Sequence, residues 1–261
     1  MKARKILSFG MLLGASFAAG IVFLTPAKSP QILLTNATAA PLKTDPNQLS
    51  VFVKIENAGQ PDTLLSASSP EAETSTLSER HGPLAVPAGG TASLAADGVF
   101  LQLSNLSGSL DDGRTLPISL TFAHAGTLTT RARIIAPQTK GDASNYGLFG
   151  IGDICQVSEG EPAPSIALEA TKSETGWTVS VTSEDFEFTP NLVDGPHVPG
   201  TGHGHIYLNG LKLGRLYSAD TAIGHLPPGQ HEIRVTLSTN DHRAYVVGDV
   251  PVTASIRIHS D

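Results

Sequence analysis

The side chains best suited to chemistry in this chain are histidines, and they are concentrated near its C-terminus. Seven of the nine lie in the last 65 residues, and four of those frame two short motifs, Pro196–Gly210 and Thr239–His242. Neutral imidazole is the commonest metal ligand in proteins, and it titrates near physiological pH. This concentration predicts a metal site, and it does not by itself indicate catalysis.

His203 and His205 are the central pair of the first motif. Residues i and i+2 of a β-strand point to the same side and lie about 6–7 Å apart. The two imidazoles should therefore project together from one face of a predicted strand, with Gly202 and Gly204 leaving space around them. We interpret the two histidines as two ligands of one metal ion.

Three further residues are candidate members of the same site. His242 follows a strand predicted to end near Leu237, and His197 lies in a Pro/Gly-rich loop before the predicted hairpin. If these loops meet at one end of the domain, three or four imidazoles converge. Asp241 would then supply a carboxylate ligand or orient a ligand histidine through its second nitrogen. Such a nitrogen and oxygen set suits Cu(II), Zn(II) or Ni(II) better than Cu(I).

The alternative is that Gly-His-Gly-His is a polar strand edge whose histidines bond to backbone groups. His225 is a weaker candidate ligand. His231, at the start of a strand, and His259, in the tail, are predicted to face solvent. The lone histidines of the first half, His81 and His124, are predicted to be solvated surface residues.

Composition indicates the elements that would position these residues. The chain of 261 residues is long enough for two ordinary domains. Only 16% of its residues are charged and its net charge is −7, so no basic patch for nucleic acid is expected. Its 26 Gly and 18 Pro, together with short runs of Val, Thr, Ile and Leu, predict an all-β protein with many turns.

The N-terminus, residues 1–29, is typical of an export signal. Lys2, Arg4 and Lys5 precede an uncharged, mostly apolar stretch of 19 residues, Ile6–Leu24. A run of that length nearly spans a bilayer, so an uncleaved inner-membrane anchor is the alternative. In either case the rest of the chain is expected in the periplasm or another extracytoplasmic space. Contact with the membrane is expected only through this segment.

Two β-sandwich domains are predicted downstream. Residues 30–136 form the first, with a clean alternation in Gln48–Glu56 and a hairpin turning at Ala125-Gly126. Residues 137–164 lose the pattern and are predicted to be a linker. Residues 165–261 form the second sandwich, immunoglobulin-like or cupredoxin-like, in which Asn209-Gly210 is a strong hairpin signal.

Four further side chains are predicted to be packed or buried. Trp177, Tyr207 and Tyr217 of the second domain are predicted to be packing residues. Cys155, the only cysteine, cannot form an intramolecular disulfide. It is predicted to be buried, with pairing between chains or metal binding as the alternatives.

Four segments of the first half carry a family resemblance when taken in order: Asn57-Ala58-Gly59, Ala67–Glu73, Val86–Gly90 and Leu116–Phe122. Together they resemble the periplasmic copper chaperone family PCu(A)C over residues 31–136. The resemblance implies a cupredoxin-like β-sandwich in which a His, one or more Met and a later His-x-Met hold Cu(I). The second half, with its GHxHxYxNG, LPPG and NDH patterns, resembles a small secreted β-domain of bacterial exported proteins, which implies no particular chemistry.

The first half departs from the chaperone family at the copper ligands. The first His position falls at Ser78, the Met-bearing loop is shortened to residues 80–83, and the His-x-Met falls on Phe100-Leu101-Gln102. The only methionines, Met1 and Met11, lie in the export segment. Because thioether ligands select Cu(I), this domain is predicted to be a scaffold or partner-docking domain.

Motifs for catalysis are absent from the sequence. There is no Gly-x-Ser-x-Gly elbow and no phosphate-binding Gly loop, and the single cysteine lacks a partner motif. A zinc hydrolase would need three ligands, an open position and a general base, and no base is evident beside the histidines.

The leading hypothesis is therefore a non-catalytic, exported copper-handling protein, a chaperone or buffer. It would bind Cu(II) in its C-terminal domain, with zinc as the other candidate metal, and would have a copper-accepting envelope protein as partner. A structural or interaction protein of the cell envelope without a metal is the alternative.

Overall fold

The computed structural model describes residues 31–42, 45–78, 83–135 and 153–261. The predicted export segment, His81 and residues 137–152 of the predicted linker lie outside these ranges. The described residues form twenty β-strands and one short 3-10 turn, Pro190–Leu192, so the predicted all-β sandwich class is confirmed. Within the same ranges, no helix has the length and apolar character needed to cross a membrane.

The first half contains nine strands that enclose one apolar core. They are β1 (Ile32–Leu42), β2 (Asp45–Asn57), β3 (Asp62–Ser68), β4 (Ala72–Leu77), β5 (Leu84–Val86), β6 (Gly90–Leu94), β7 (Leu101–Leu106), β8 (Thr115–Phe122) and β9 (Gly126–Ile134). Strand β2 pairs with β1, β6 and β7, while β8 pairs with β3 and β9. Burial alternates residue by residue along β8, as expected for a strand with one face on the core. The predicted hairpin at Ala125-Gly126 is confirmed.

The second half contains the remaining eleven strands. They are β10 (Ile154–Gln156), β11 (Ser165–Ser173), β12 (Gly176–Glu184), β13 (Glu187–Phe188), β14 (Thr201–Leu208), β15 (Leu211–Leu216), β16 (Asp220–Gly224), β17 (Gly229–Ser238), β18 (Ala244–Val247), β19 (Val250–Pro251) and β20 (Thr253–Ser260). Strand β14 lies between β15 and β17, and β17 also pairs with β20. Strands β11, β12 and β16 form a separate three-stranded sheet. Trp177 packs in the apolar core of this half, as predicted.

Two local features of the second half bear on the sequence predictions. Asn209 and Gly210 join β14 to β15 with φ angles of 49° and 91°, the left-handed pair that a two-residue hairpin turn requires. Strand β10 lies in the segment predicted to be a linker and pairs in parallel with β18. Cys155 of β10 is buried, as predicted.

The two halves share an interlocked interface. Ala85 of β5 packs in the apolar core of the second half, and Leu211 of β15 packs in the core of the first. Lys212 pairs with Ser93 across β15 and β6, and the Val99 amide donates to the Gly210 carbonyl at 2.9 Å. Each half therefore completes part of the other's core.

Two glycines allow the backbones to approach closely at this interface. A Cβ on Gly98 would lie 2.4 Å from the Gly210 carbonyl oxygen, and one on Gly224 would lie 1.9 Å from that of Ala88. Because a carbon atom cannot approach a backbone oxygen so closely, only glycine permits these two contacts.

Candidate metal centre

Strand β14 places His203 and His205 side by side. Their Nε2 atoms are 3.1 Å apart, and the two residues are 0% and 5% exposed. The shared direction of the side chains follows from the i, i+2 spacing, as the sequence predicts. Two buried imidazole nitrogens thus face each other across a gap of hydrogen-bond length.

His242 is the third histidine of the cluster. It ends the turn after β17, where its amide donates to the Thr239 carbonyl, and its φ of 66° lies in the left-handed region. Its ring centroid is 4.8 Å from that of His203. One ligand atom from each of the three histidines lies within 4.8 Å of the others. We call His203, His205 and His242 the histidine cluster.

The spacing within the cluster is compatible with a shared metal ion. Two nitrogens that bind one ion at about 2.0–2.1 Å lie about 2.9–3.4 Å apart in square-planar or tetrahedral geometry. The observed distance of 3.1 Å between the Nε2 atoms falls in that range. The ligand atom of His242 lies within 4.8 Å of those of His203 and His205, so it would have to move closer to share the same ion.

The other nitrogen of His205 contacts a carboxylate from the first half of the chain. Its Nδ1 lies 2.9 Å from Oδ2 of Asp97, which also accepts bonds from Tyr207 Oη and Lys212 Nζ. Burial alone would raise the pKa of Asp97, but the His205 hydrogen bond and the Lys212 charge hold that pKa well below its usual range. Because an ionised carboxylate can only accept, the contact with Asp97 favours a proton on Nδ1 of His205, whereas Lys212 Nζ, 3.2 Å from the same nitrogen, can only donate to it.

His242 is oriented by a second carboxylate. Its Nε2 bonds to Oδ1 of Asp194, which also lies 3.6 Å from Nη1 of Arg215. The hydrogen bond from His242 lowers the pKa of Asp194. Asp194 itself has a left-handed φ of 67° and a largely exposed side chain. A solvent-facing carboxylate therefore holds the most accessible ligand of the cluster.

His203 is neutral at physiological pH. Burial, and then the neighbouring His205, lower its pKa from 6.5 to about 3. Its Nδ1 is buried without a hydrogen-bond partner. A buried polar atom without a partner requires an explanation, and proximity to a binding site is one. Burial also lowers the pKa of His205, so both strand histidines are in the uncharged state that a metal requires.

The low pKa of His203 makes the stability of the metal-free protein depend on pH. Between pH 6.5 and about 3, the unfolded chain binds a proton at this residue that the folded chain does not, so falling pH favours unfolding. At pH 4.5 we expect a loss of about 3 kcal/mol relative to pH 7.5 from this group. Chemical denaturation of the wild type and of His203→Gln at both pH values measures it. Equal losses in the two proteins would contradict the assignment.

His197 and Asp241, the other two predicted ligands, are placed elsewhere. His197 Nε2 lies 3.6 Å from the Cys155 sulfur, and the His197 ring is 5.9 Å from that of Tyr245. Asp241 accepts hydrogen bonds from Arg243 and Thr239. The loop that carries His197 turns toward β10 and β18, while Asp241 is held by its own turn. Burial raises the pKa of the Cys155 thiol, which favours its neutral form.

The remaining histidines are separate from the cluster. The prediction that His231 faces solvent is wrong: it is 2% exposed, and its Nε2 lies 2.8 Å from the Pro227 carbonyl oxygen. The 226–228 loop covers the start of β17, which a local pattern cannot reveal. His259 is exposed as predicted, and the His225 carbonyl accepts a bond from Ala88 at the interface. His124 has a 78% exposed side chain beside Asp62.

The positions of the lost copper ligands in the first half carry other contacts. Ser78 accepts a hydrogen bond from the Phe100 amide at 2.9 Å, and Gln102 bonds to Gln48. The Phe100 ring packs edge-on against Phe52. These side chains hold β7 to its neighbours, and none of them is a usual metal ligand.

Sequence reasoning missed three residues that touch the cluster. Asp97 comes from the first half, and Asp194 comes from the loop after the 3-10 turn. Tyr217, which was predicted to be a packing residue, is 42% exposed, and its ring centroid lies 6.2 Å from that of His203. Of the three, only Asp97 has a local sequence signal. The pair Asp97-Gly98 indicates a turn after β6, but it does not indicate which residue Asp97 contacts. Tyr207 is buried as predicted, and its hydroxyl donates a hydrogen bond to Asp97.

Comparisons with known proteins give one family match, to residues 32–134, and several weak structural likenesses. In the solved structures, the copper-bound PCuAC domain from PmoF2 is 22% identical over 41% of this chain and 94% of its own, with a TM-score of 0.37. Apo-DR1885 from Deinococcus radiodurans is 22% identical over 52% of this chain and 97% of its own, with a TM-score of 0.36. A search of curated proteins finds no match. Residues 32–134 match the LpqE-like family model, and the resemblance predicted for the N-terminal half is thereby confirmed.

Proposed function

We propose that this protein binds copper at the histidine cluster and acts in copper handling outside the cytoplasm, as a chaperone or buffer. The observation that carries the proposal is the facing pair of Nε2 atoms, 3.1 Å apart and buried, with Asp97 behind one of them. A cation bound between the two nitrogens would replace the hydrogen bond between them, and neutral His203 would then carry its one ring proton on Nδ1. His242 then supplies the third nitrogen.

The donor set supports Cu(II) over Cu(I). Three imidazoles suit Cu(II) and Zn(II), whereas soft Cu(I) prefers the thioethers that residues 12–261 lack altogether. Copper is preferred to zinc because the first half resembles PCu(A)C in sequence and matches the LpqE-like family. Zinc remains the competing metal in the experiment below.

The arrangement of the carboxylates supports metal binding and transfer rather than catalysis. Asp97 lies behind His205, and Asp194 is bound to His242 and Arg215. Both carboxylates that contact the cluster are thus engaged, and neither is placed as a general base. His242 lies on a turn at the surface side of the cluster, so it is the ligand best placed to detach when the metal passes to an acceptor. The partner we propose is a copper-accepting protein of the envelope.

Titration of the protein with Cu(II) and Zn(II), followed by calorimetry and EPR, tests this function. We expect one tightly bound Cu(II) per chain, with hyperfine structure from imidazole nitrogen. The double variant His124→Ala/His259→Ala, which removes two exposed histidines away from the cluster, should bind equally well. A folded protein that binds neither metal would favour a structural or interaction role instead.

A further inference from the structure

We propose that Asp97, which belongs to the first half of the chain, is the positioning residue for the metal ligand His205. Its carboxylate would fix the tautomer of His205 and so set the metal affinity of a site whose three ligands all lie in the second half. This inference rests on the proposed function. It assigns to the first half a role in metal binding that its own lost ligands do not provide.

The contact has the form that ligand orientation requires. Asp97 Oδ2 lies 2.9 Å from Nδ1 of His205, the nitrogen on the far side of the ring from His203. The side chains of Asp97 and His205 are 5% and 6% exposed, so water does not compete for the bond. Metal-binding histidines commonly donate their second N–H to a carboxylate, which fixes the ring and makes the ligand nitrogen more basic.

A purely structural ion pair is the simpler explanation of the same charges. Lys212, whose side chain is 20% exposed, bonds to Asp97 and would balance its charge without any histidine. Oδ2 of Asp97 nevertheless has three contacts, with Nδ1 of His205, Lys212 Nζ and Tyr207 Oη. A purely structural ion pair leaves Nδ1 of His205 able to accept from Lys212 Nζ, 3.2 Å away, and so does not enforce the Nδ1-protonated tautomer. Selection of that tautomer is therefore the property that separates the two explanations.

The fold brings Asp97 to this position through the interface. The turn after β6 closes with a bond from the Gly98 amide to the Ala95 carbonyl, at 3.0 Å. The next residue, Val99, bonds to Gly210 in the β14–β15 turn. The hairpin that carries His205, Tyr207 and Lys212 is thus anchored directly to the turn that carries Asp97. The contact between the two halves therefore places the Asp97 carboxylate beside His205.

Metal binding and domain docking should consequently be linked. If docking increases metal affinity through Asp97, then bound metal must stabilise docking by the same factor, because coupling between two equilibria is reciprocal. The charged groups near Asp97 and its partners are Lys212, Arg215 beside His205, and Arg234, which stacks over the Tyr207 ring at 4.0 Å. All three are cations, so no second carboxylate among the described contacts is available to replace Asp97.

The variant Asp97→Asn, in the full-length chain, tests the proposal. Asparagine keeps the shape of the side chain but not its negative charge, so it no longer enforces protonation of Nδ1 on His205. We expect the affinity for Cu(II) and for Zn(II) to fall about 10- to 100-fold, the usual effect of losing a partner of a ligand histidine. The matched control is Asp62→Asn, because Asp62 is also buried and also contacts a histidine, His124, away from the cluster.

Nitrogen-15 NMR of the histidine rings in the metal-free wild type gives a second, independent readout. We expect His205 to carry its proton on Nδ1 in the wild type and to become a tautomer mixture in Asp97→Asn. An Nε2-protonated His205 in the wild type would overturn the proposal, even if the variant did not fold. So would unchanged affinity in Asp97→Asn, or an equal loss in Asp62→Asn. A wild type that binds no metal would instead contradict the proposed function, and the tautomer would still report on Asp97.

Discussion

Replacing His203 and His205 together with alanine is expected to lower the Cu(II) affinity at least about 1,000-fold. The change removes the two buried nitrogens that face each other at 3.1 Å and leaves only His242. Structural metal sites derive about 10–16 kcal/mol from their full ligand set, so losing most of the set removes several kcal/mol. A competition titration against a chelator of known affinity measures the loss.

The matched control for this variant is His197→Ala. His197 belongs to the same stretch of sequence, but it contacts Cys155. We expect its replacement to change the Cu(II) affinity less than about threefold. If His197→Ala abolished binding while His203→Ala/His205→Ala did not, the copper site would lie at Cys155 and the histidine cluster would be a structural feature.

Gly224→Ala is expected to destabilise the protein by about 3 kcal/mol or more. The added Cβ would lie 1.9 Å from the Ala88 carbonyl oxygen, and the Ala88 amide donates a hydrogen bond to the His225 carbonyl at 2.9 Å. Neither atom is the end of a flexible side chain, so β16 and the turn before β6 must separate. Overpacking in a rigid environment costs about 1–3 kcal/mol, and a clash between two backbones lies at or above that range. Urea denaturation measures the effect.

Gly90→Ala provides the control for that measurement. Gly90 lies two residues from Ala88, but the nearest atom to its added Cβ would be 3.5 Å away, an ordinary contact. We expect its stability to remain within about 0.5 kcal/mol of the wild type. A Gly224→Ala protein as stable as Gly90→Ala would mean that the two halves do not make the close approach described above.

The features that could be predicted from the sequence were those encoded by neighbouring residues. Alternation over Gln48–Glu56 predicted a strand that the structure extends to Asp45–Asn57. Asn209-Gly210 predicted a hairpin because both residues tolerate positive φ. The i, i+2 spacing predicted that His203 and His205 would face the same way. In each case the information lies within a few residues and depends on the pleat of a single strand.

The features that could not be predicted depend on contacts between distant segments. Asp97 reaches His205 only because the two halves of the chain contact each other at the β14–β15 turn, and no local period in the sequence records that contact. His231 is buried by a loop that folds back over its strand. Asp194 and His197 lie three residues apart in one loop, and only His197 was suggested as a ligand from the sequence. The turn of that loop brings Asp194 to the cluster and sends His197 to Cys155.

The exchange of Ala85 and Leu211 between the two cores has a consequence for how such a chain can evolve. Domains joined only by a linker can be shuffled as independent modules, since each retains its own core. Here, a recombination event that replaced the first half with a copper-binding relative would leave an unfilled space in the second core. It would also remove Asp97 unless the incoming domain happened to carry the same turn. The two halves are therefore expected to be inherited together, as one unit of selection.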